Sequence, residues 1–303
     1  LTRALVWKAI QGMVKTCRLK STVYFDFIIN NIHEEDQPSL IELVLTTASN
    51  LIGLYIPDKK YEEIASNMFD TIYKLLREET REVLIPVLTD SLFKFLKSQE
   101  HVEKAIKWLK AGAVLDENNN NEKIKGTELT EGQKHSILKV VHAKPSIEDS
   151  EKEKLLSEVV GDSKSDVVTN LKHACEAIKP KKETKEKVWK EISDPNNELS
   201  SYELQAKLAG FFNRDAADIL APYFDKYLEN VKVCANVGNR EYASAFIEGA
   251  CPSFNITDEF IKSFKNIVAE FKEDVKYESY CRTVNKVIGS LEISKKIKDY
   301  SSE

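Results

Sequence analysis

The sequence predicts an all-α protein, built as an irregular α-α superhelix or HEAT-like solenoid of antiparallel helix pairs. Helix-type spacing of apolar residues runs through nearly all 303 residues. Ten Gly and eight Pro are few for this length, and the chain is rich in residues that favour long helices. Because no fixed-period repeat consensus is present, each helix pair is expected to bury its apolar face against the next pair in an irregular array.

The first helix is predicted at the very start of the chain. Its apolar residues share one stripe: Leu1, Leu5, Val6, Ala9, Ile10 and Met13. Such a stripe at the edge of a helical array needs a neighbour to cover it. We therefore interpret Leu1 as the cut edge of a longer polypeptide.

Two helical hairpins are expected next. Ser21 is placed to cap a helix that runs to Ile32, and Pro38 suits the first turn of the following helix. That helix is expected to end near Gly53 and Pro57, and Asp58 to cap another helix that carries apolar residues at helical spacing through Leu75.

Further helices are predicted over residues 78–97 and 101–111. Pro86 is expected to kink or break the first of them, because its ring removes a hydrogen-bond donor and crowds the preceding turn. Residues 116–126, with four consecutive Asn, have the composition of a mobile loop. We expect a single domain over residues 1–303, with a possible subdivision into 1–115 and 127–303 at this loop.

Beyond that loop, short antiparallel helices are predicted. The breaks between them are expected near Pro145, Gly161, Pro180, Pro195, Asn213, Gly238 and Pro252. Aromatic residues at helical spacing are interpreted as core: Phe211, Phe212, Tyr223, Phe224 and Tyr227. The lysine-rich run over residues 179–187 is interpreted as a solvated loop and helix start.

Charge and composition narrow the classes of partner. The net charge is -5, with 44 basic residues interleaved among 49 acidic ones, so nucleic acid is not expected to bind. No apolar run approaches the roughly 20 residues that span a bilayer, so no membrane contact is predicted for the visible segment. Five widely spaced Cys indicate reduced thiols, which favours a cytoplasmic location.

No motif for catalysis or metal binding is found. His33 and Glu34 begin a possible HExxH zinc motif, but residue 37 is Gln. His135 and His142 are seven residues apart, which places them about 10 Å apart along a helix, too far for one zinc ion. We therefore predict no catalytic residue, no metal ligand and no cofactor in this chain.

Other chemically suggestive residues have simpler interpretations. His173 and Cys175 are two positions apart on a predicted helix and face different directions, so a Cys/His nucleophile pair is not expected. The carboxylate runs 34–36 and 148–153 lie among polar residues and are interpreted as solvated helix starts.

Three blocks of the sequence resemble the C-terminal helical domain of the aminopeptidase N family of zinc metallopeptidases, in particular its bacterial-type members. The first block is Leu1–Trp7 followed by Met13 and Val14; the second comprises Lys187–Trp189, Leu199–Leu204, Gly210–Phe211 and Leu220–Phe224; the third is Ala243–Phe246 with Pro252–Phe254. Their order and spacing are similar to the family's over nearly the whole chain, although each block alone is weak.

The resemblance implies a non-catalytic part of a zinc aminopeptidase. In that family the zinc ligands of an HExxH motif, a downstream Glu and a Gly-Ala-Met-Glu-Asn segment belong to an upstream catalytic domain, and this sequence contains none of them. The implied partners are that upstream domain and peptide substrates. The implied role is to cover the active-site cleft and to restrict which peptides reach it.

Polar residues near helix ends are the candidates for holding the distal end of a peptide. They are Arg3, Tyr55 and Arg240, each of which can equally be a cap or surface residue. Two other functions remain open: a free-standing helical-repeat adaptor that binds a protein partner on its concave face, and an enzyme that works alone. The adaptor is disfavoured by the uncovered apolar stripe, and the lone enzyme by the lack of a catalytic constellation.

Overall fold

The computed structural model describes residues 2–303, and these residues are 74% helical. They form 15 α-helices, short 3-10 helices and one two-stranded sheet. The predicted all-α, helical-repeat-like fold is confirmed. Leu1, which the sequence places on the first apolar stripe, lies outside the described residues.

The chain divides into two compact units. Unit 1 comprises the described residues up to Val140 together with Ser294–Glu303, and unit 2 comprises Val141–Ile293. The helices of unit 1 are α1 (Thr2–Lys15), α2 (Ser21–Asn31), α3 (Pro38–Tyr55), α4 (Tyr61–Glu78), α5 (Ile85–Lys94), α6 (Gln99–Ala111) and most of α7 (Glu131–Ala143). Its two strands are β1 (Ala113–Asp116) and β2 (Glu122–Glu128).

In unit 1, the prolines mark the observed helix starts more accurately than the residues predicted as N-caps. Pro38 occupies the first turn of α3, as predicted. The helix predicted over residues 78–97 begins only at Ile85 and ends at Lys94, with Pro86 in its first turn, so the proline marks a helix start and not a break within a helix. The predicted caps differ. Ser21 is the first residue of α2 and its hydroxyl donates to the Tyr55 carbonyl at 2.8 Å, while Asp58 begins a 3-10 turn ahead of α4.

The Asn-rich segment is a hairpin rather than a simple loop. β1 and β2 pair antiparallel, so the expectation of a loop over residues 116–126 is wrong for its second half. Asn120 and Asn121 adopt left-handed backbone angles (φ 50° and 56°), which Asn tolerates better than most residues, and so close the turn. The hairpin belongs to unit 1, whose division from unit 2 follows Val140; a domain subdivision at residues 116–126 stays a prediction.

The last residues of the chain complete unit 1. The final turns of α15 (Glu278–Ser302) bring Ile297 into full burial there. The Ser301 hydroxyl accepts from the backbone N–H of Ser21 at 2.9 Å and hydrogen-bonds to its hydroxyl at 2.9 Å. Lys298 pairs with Asp58 at 3.0 Å. Residues 294–303 are therefore an integral part of the packing of unit 1.

Unit 2 is a succession of short helices ending in the start of α15. They are α8 (Asp149–Val160), α9 (Asp166–Ile178), α10 (Lys182–Ile192), α11 (Ser201–Phe211), α12 (Ala217–Cys234), α13 (Arg240–Gly249) and α14 (Asp258–Phe271). Every predicted break from Pro145 to Pro252 falls between two helices. Several of these helices have a polar N-cap residue directly before their first residue. The side chains of these N-caps accept hydrogen bonds from first-turn backbone N–H groups: Ser165, Ser200, Asn239 and Thr257.

The predicted aromatic core is confirmed in unit 2. Phe211, Tyr223 and Tyr227 are buried, and Phe212 and Phe224 are partly buried against the same cluster. Their rings meet mostly edge to face, the arrangement that the ring quadrupole favours. These residues therefore belong to the hydrophobic core of unit 2.

α11 packs closely against α9 at Gly210. A Cβ at this position would lie 2.9 Å from the Ala174 carbonyl oxygen and 3.2 Å from the Ala177 side chain. Because a backbone atom cannot yield as a flexible side chain does, we expect Gly210→Ala to destabilise unit 2 by about 1–3 kcal/mol. Urea denaturation measures this change. Gly289→Ala is the matched control, since its Cβ would meet nothing within 4 Å; equal stability of the two variants would show that the helices can separate at no cost.

Candidate functional site

Arg3 is engaged in ion pairs within unit 1. Its guanidinium lies 2.7 Å from the Asp36 carboxylate and 3.3 Å from the Glu35 carboxylate. Glu35 is buried and also accepts a hydrogen bond from the Trp7 indole at 2.8 Å. Asp36 raises the pKa of Arg3, and Arg3 lowers the pKa of Asp36. This arrangement fixes α1 to the segment after α2, which is a structural role; a contact of Arg3 with peptide stays a prediction.

Tyr55 ends α3 in unit 1 and is half-buried. Its backbone carbonyl accepts a hydrogen bond from the Ser21 hydroxyl, and burial raises the pKa of its phenol. The hydroxyl therefore stays protonated at neutral pH and is available as a donor. Arg3 and Tyr55 belong to unit 1 and Arg240 to unit 2, so the sequence candidates do not form one cluster within a unit.

Arg240 lies at a cleft of about 360 Å³ in unit 2. One wall is the turn from α12 to α13, and the other is the segment from the 3-10 turn Val275–Tyr277 into α15. Arg240 is the first residue of α13 and is exposed. Among residues 2–303 it has no ion-pair partner, so its charge is free to meet a ligand. We call this the Arg240 cleft.

The Arg240 cleft is electropositive. Arg240 and Lys276 line it, and no carboxylate does so among the described residues. Lys276 lies over the Tyr277 ring, with Nζ 4.5 Å from the ring centroid. Hydroxyl groups of Ser244, Ser279 and Thr283 add hydrogen-bonding capacity to the walls. Asp274 acts electrostatically on Lys276, but no carboxylate pairs with Arg240 among the described residues. The Arg240 guanidinium therefore suits an anionic group, and a carboxylate accepts bidentate bonds from Arg.

The apolar part of the Arg240 cleft holds no nucleophile. Cys234, Ala243 and Ile247 lie there and are buried. Burial raises the pKa of the Cys234 thiol to about 12, so it is protonated at neutral pH. The thiol of Cys251, elsewhere in unit 2, is likewise raised to about 12 by burial. These cysteines behave as small apolar residues, as the sequence indicates.

The other chemical candidates from the sequence have structural surroundings. Cys175 is buried in α9, whereas His173 reaches Glu203, with 3.2 Å between its Nε2 and the carboxylate. His135 and His142 both lie on α7. Among residues 2–303, no group of three or more His, Cys, Asp or Glu side chains is placed to hold a metal ion. The donor atoms present in this part of the chain therefore do not fit a zinc site.

Lys185 is the residue that the sequence interpretation missed. It lies in the lysine-rich run taken as solvated, yet it is fully buried. Its ammonium donates to the carbonyls of Ala177 at 2.6 Å and Phe211 at 2.5 Å, and lies 5.0 Å from the Phe211 ring centroid. Burial lowers its pKa to about 7. Lys185 lies three residues after Lys182, the first residue of α10, and three and four residues before Val188 and Trp189. It therefore shares their apolar helix face, and this spacing was the signal in the sequence that Lys185 is buried.

Two residues of the Arg240 cleft were also not singled out from sequence, Asn236 and Lys276. They are separated by about 40 positions in the chain, and each lies in a polar connection between helices. Only the packing of α12, α13 and α15 brings these connections together. No local spacing in the sequence marks such a pair.

Comparison with known families gives the assignment. Residues 1–292 match the family model described as ERAP1-like C-terminal domain. The chain belongs to this family. It comprises C-terminal domains of M1 aminopeptidases, so the resemblance to the aminopeptidase N group is confirmed at the level of the family. No curated protein gives a significant match to the chain.

Membership in this family carries two general consequences. It implies a parent M1 aminopeptidase, a hydrolase, and attachment of this domain to an upstream catalytic domain.

Within residues 2–303, no helix is both long enough and apolar enough to cross a membrane.

Proposed function

We propose that this chain is the non-catalytic C-terminal domain of a zinc aminopeptidase that removes amino-terminal residues from peptides. In this proposal the domain caps the active-site cleft of the upstream domain and restricts which peptides reach it. The zinc and the catalytic residues belong to that upstream domain, because the described part of this chain offers no suitable set of donor atoms. A cytoplasmic location stays a prediction.

The exposed face of α1 supports attachment to a neighbouring domain. Leu5, Val6 and Met13 are 58%, 48% and 41% exposed, whereas Trp7 and Val14 on the opposite face are buried. A helix with apolar residues on both faces is covered on both in a stable assembly. The upstream domain implied by the family is the occupant that we propose for this face.

The observation that carries the substrate-holding role is the Arg240 cleft. A peptide whose amino terminus lies in the upstream active site presents its carboxyl terminus to whatever surface caps that site. Arg240 and Lys276 supply the positive charge; Lys276 interacts electrostatically with Asp274, whereas Arg240 has no ion-pair partner among residues 2–303. We propose that the cleft binds the terminal carboxylate, with Arg240 as the principal contact.

Binding of matched peptides tests this role. A fluorescent nonapeptide with a free carboxyl terminus is expected to bind the 303-residue chain about tenfold more tightly than the same peptide amide, the equivalent of about 1.4 kcal/mol. Arg240→Ala is expected to remove the difference, because the charge-assisted hydrogen bonds are lost. Fluorescence anisotropy at low ionic strength gives both dissociation constants.

Arg282→Ala is the matched control, since Arg282 is exposed in the same unit, pairs with Glu278 and does not line the cleft. Equal binding of acid and amide by the wild-type chain would contradict the proposal. The isolated chain is also expected to show no turnover of aminoacyl-anilide substrates. Zinc-dependent turnover by the pure chain would place an active site within it.

A further inference from the structure

A second, smaller cavity in unit 2 shares the start of α13 with the Arg240 cleft. Its volume is about 80 Å³, and it is bounded by α11, α13 and the connection between α10 and α11. The two cavities take alternate residues of one segment: Gly238 and Arg240 line the cleft, whereas Asn239 and Glu241 line the smaller cavity. We call the smaller cavity the Glu241 pocket.

The Glu241 carboxylate is the charged group of this pocket. No Lys, Arg or His lines the pocket within the described part of the chain. Glu241 is exposed, and its Oε1 accepts a hydrogen bond from the Ser201 hydroxyl of α11 at 3.1 Å. Among residues 2–303 no Lys or Arg pairs with Glu241, so its charge is free to meet a ligand. The pocket therefore carries the opposite charge to the Arg240 cleft.

Two amide side chains in the lining are already engaged with backbone groups. The Asn239 side chain accepts from the backbone N–H of Tyr242 at 3.0 Å and so caps α13. The Asn197 side chain donates to the Asp194 carbonyl at 2.6 Å and accepts from the backbone N–H of Leu199. These bonds hold the walls of the pocket, and Glu241 is left as the principal group for a polar ligand.

The lining also suits the stem of a long side chain. Leu204 and Tyr242 are buried, whereas Gln205 and Glu241 are exposed, so the pocket combines apolar residues with a polar rim. Lys and Arg have the matching pattern, an aliphatic stem that ends in a cation. Such a side chain can lie with its stem on the apolar residues and its charge at Glu241.

We propose that the Glu241 pocket binds a basic side chain of the same peptide whose terminal carboxylate lies at Arg240. The start of α13 stands between the two cavities, and a helix with its side chains is about 10–12 Å wide. An extended chain spans about 3.3–3.6 Å per residue, so the basic residue lies about three positions before the carboxyl terminus. This inference rests on the proposed function of the cleft and names the substrate class, peptides with Lys or Arg near the carboxyl terminus.

Matched nonapeptides with a free carboxyl terminus test the pocket. The peptide with Lys at position 6 is expected to bind the 303-residue chain about threefold more tightly than the same peptide with norleucine, which keeps the stem without the charge. An exposed ion pair gives a factor of this size, the equivalent of about 0.65 kcal/mol. Fluorescence anisotropy at low ionic strength measures it, with Lys also placed at positions 5 and 7. Lys at position 2 controls for general attraction to a chain of net charge -5.

A charge-removing variant assigns the effect to one residue. Glu241→Gln is expected to abolish the preference for Lys and to keep the preference for acid over amide, because Gln retains the size and an acceptor for Ser201. Glu229→Gln is the matched control, since Glu229 is exposed on α12 in the same unit and lines neither cavity. This control is expected to keep both preferences.

The possible failures are distinguishable. Equal binding of the Lys and norleucine peptides at positions 5, 6 and 7 would overturn the pocket, and a persisting preference for acid over amide would leave the proposed function standing. A Lys preference that survives in Glu241→Gln, or that position 2 gives equally, would also overturn the pocket. Equal binding of acid and amide by the wild-type chain would overturn the proposed function and the link between the cavities, and the Glu241→Gln comparison would then still decide whether the pocket takes a cation.

Discussion

Replacement of Lys185 by Met is expected to lower the stability of unit 2 by about 3 kcal/mol at pH 9. The ammonium or amine of Lys185 serves the carbonyls at the ends of two helices, Ala177 on α9 and Phe211 on α11. Met fills a similar volume but donates no hydrogen bond, so two buried acceptors lose their partner. Each such loss costs about 1–3 kcal/mol.

The same variant is expected to change the pH dependence of stability. The pKa of Lys185 is about 7 in the folded chain, against an ordinary value of 10.5 when unfolded. Between these values the unfolded state binds one more proton, so the stability of the wild type rises with pH by about 1.4 kcal/mol per unit relative to the variant. Near pH 7 the free-energy cost of burying the charged ammonium of Lys185 offsets the stabilisation that its hydrogen bonds provide. The gap between the two proteins is therefore expected to shrink by about 2 kcal/mol from pH 9 to pH 7.

Urea denaturation at several pH values, followed by circular dichroism, measures both effects. Lys190→Met is the matched control, because Lys190 lies on the same helix and is exposed. Its stability is expected to stay close to that of the wild type at every pH. If Lys185→Met behaved as Lys190→Met does, the buried amine would have no part in joining α9 to α11.

Removal of residues 294–303 is expected to destabilise unit 1 by more than about 4 kcal/mol. The deletion removes the fully buried Ile297, and loss of a buried Ile side chain costs about 2–5 kcal/mol. It also removes Ser301, which accepts from the backbone N–H of the buried Ser21. The match to the family ends at residue 292, so family membership alone does not indicate this role.

Hydrogen exchange of α2 and α3 is expected to accelerate in the truncated chain, because these helices lose the side chains that cover their ends. A point variant isolates the packing contribution: Ile297→Ala is expected to cost about 3 kcal/mol. Ile293→Ala, one helical turn earlier on the same helix and 49% exposed, is the matched control and is expected to cost under 1 kcal/mol. Similar losses in the two variants would mean that the C-terminal residues lie on unit 1 without stabilising it.

The sequence by itself determined the helical architecture. The spacing of apolar residues at 3.6 positions and the helix breaks at Pro, Gly and Asn are local properties of the sequence. For this reason the helix start at Pro38, the interruption at Pro86 and the breaks between the helices of unit 2 were predictable. The hairpin was missed because β2 alternates charged residues with few apolar ones, and a two-stranded sheet is stable only when it packs against another element, here α5, where Ile85 lies beside Gly126. The three sequence blocks led to the family because they preserve core and turn residues in order.

Only the tertiary structure decided which polar residues are buried in the core and which line the Arg240 cleft. Lys185 and its lysine neighbours are chemically identical, and only the convergence of two helix ends buries one of them. Arg240, Asn236, Lys276 and Tyr277 come from connections that are far apart in sequence, and packing between helices places them around one cleft. Spacing along one helix predicts which side chains share a face, but contacts between distant segments depend on how those faces pack, and a single sequence does not encode that in any local pattern.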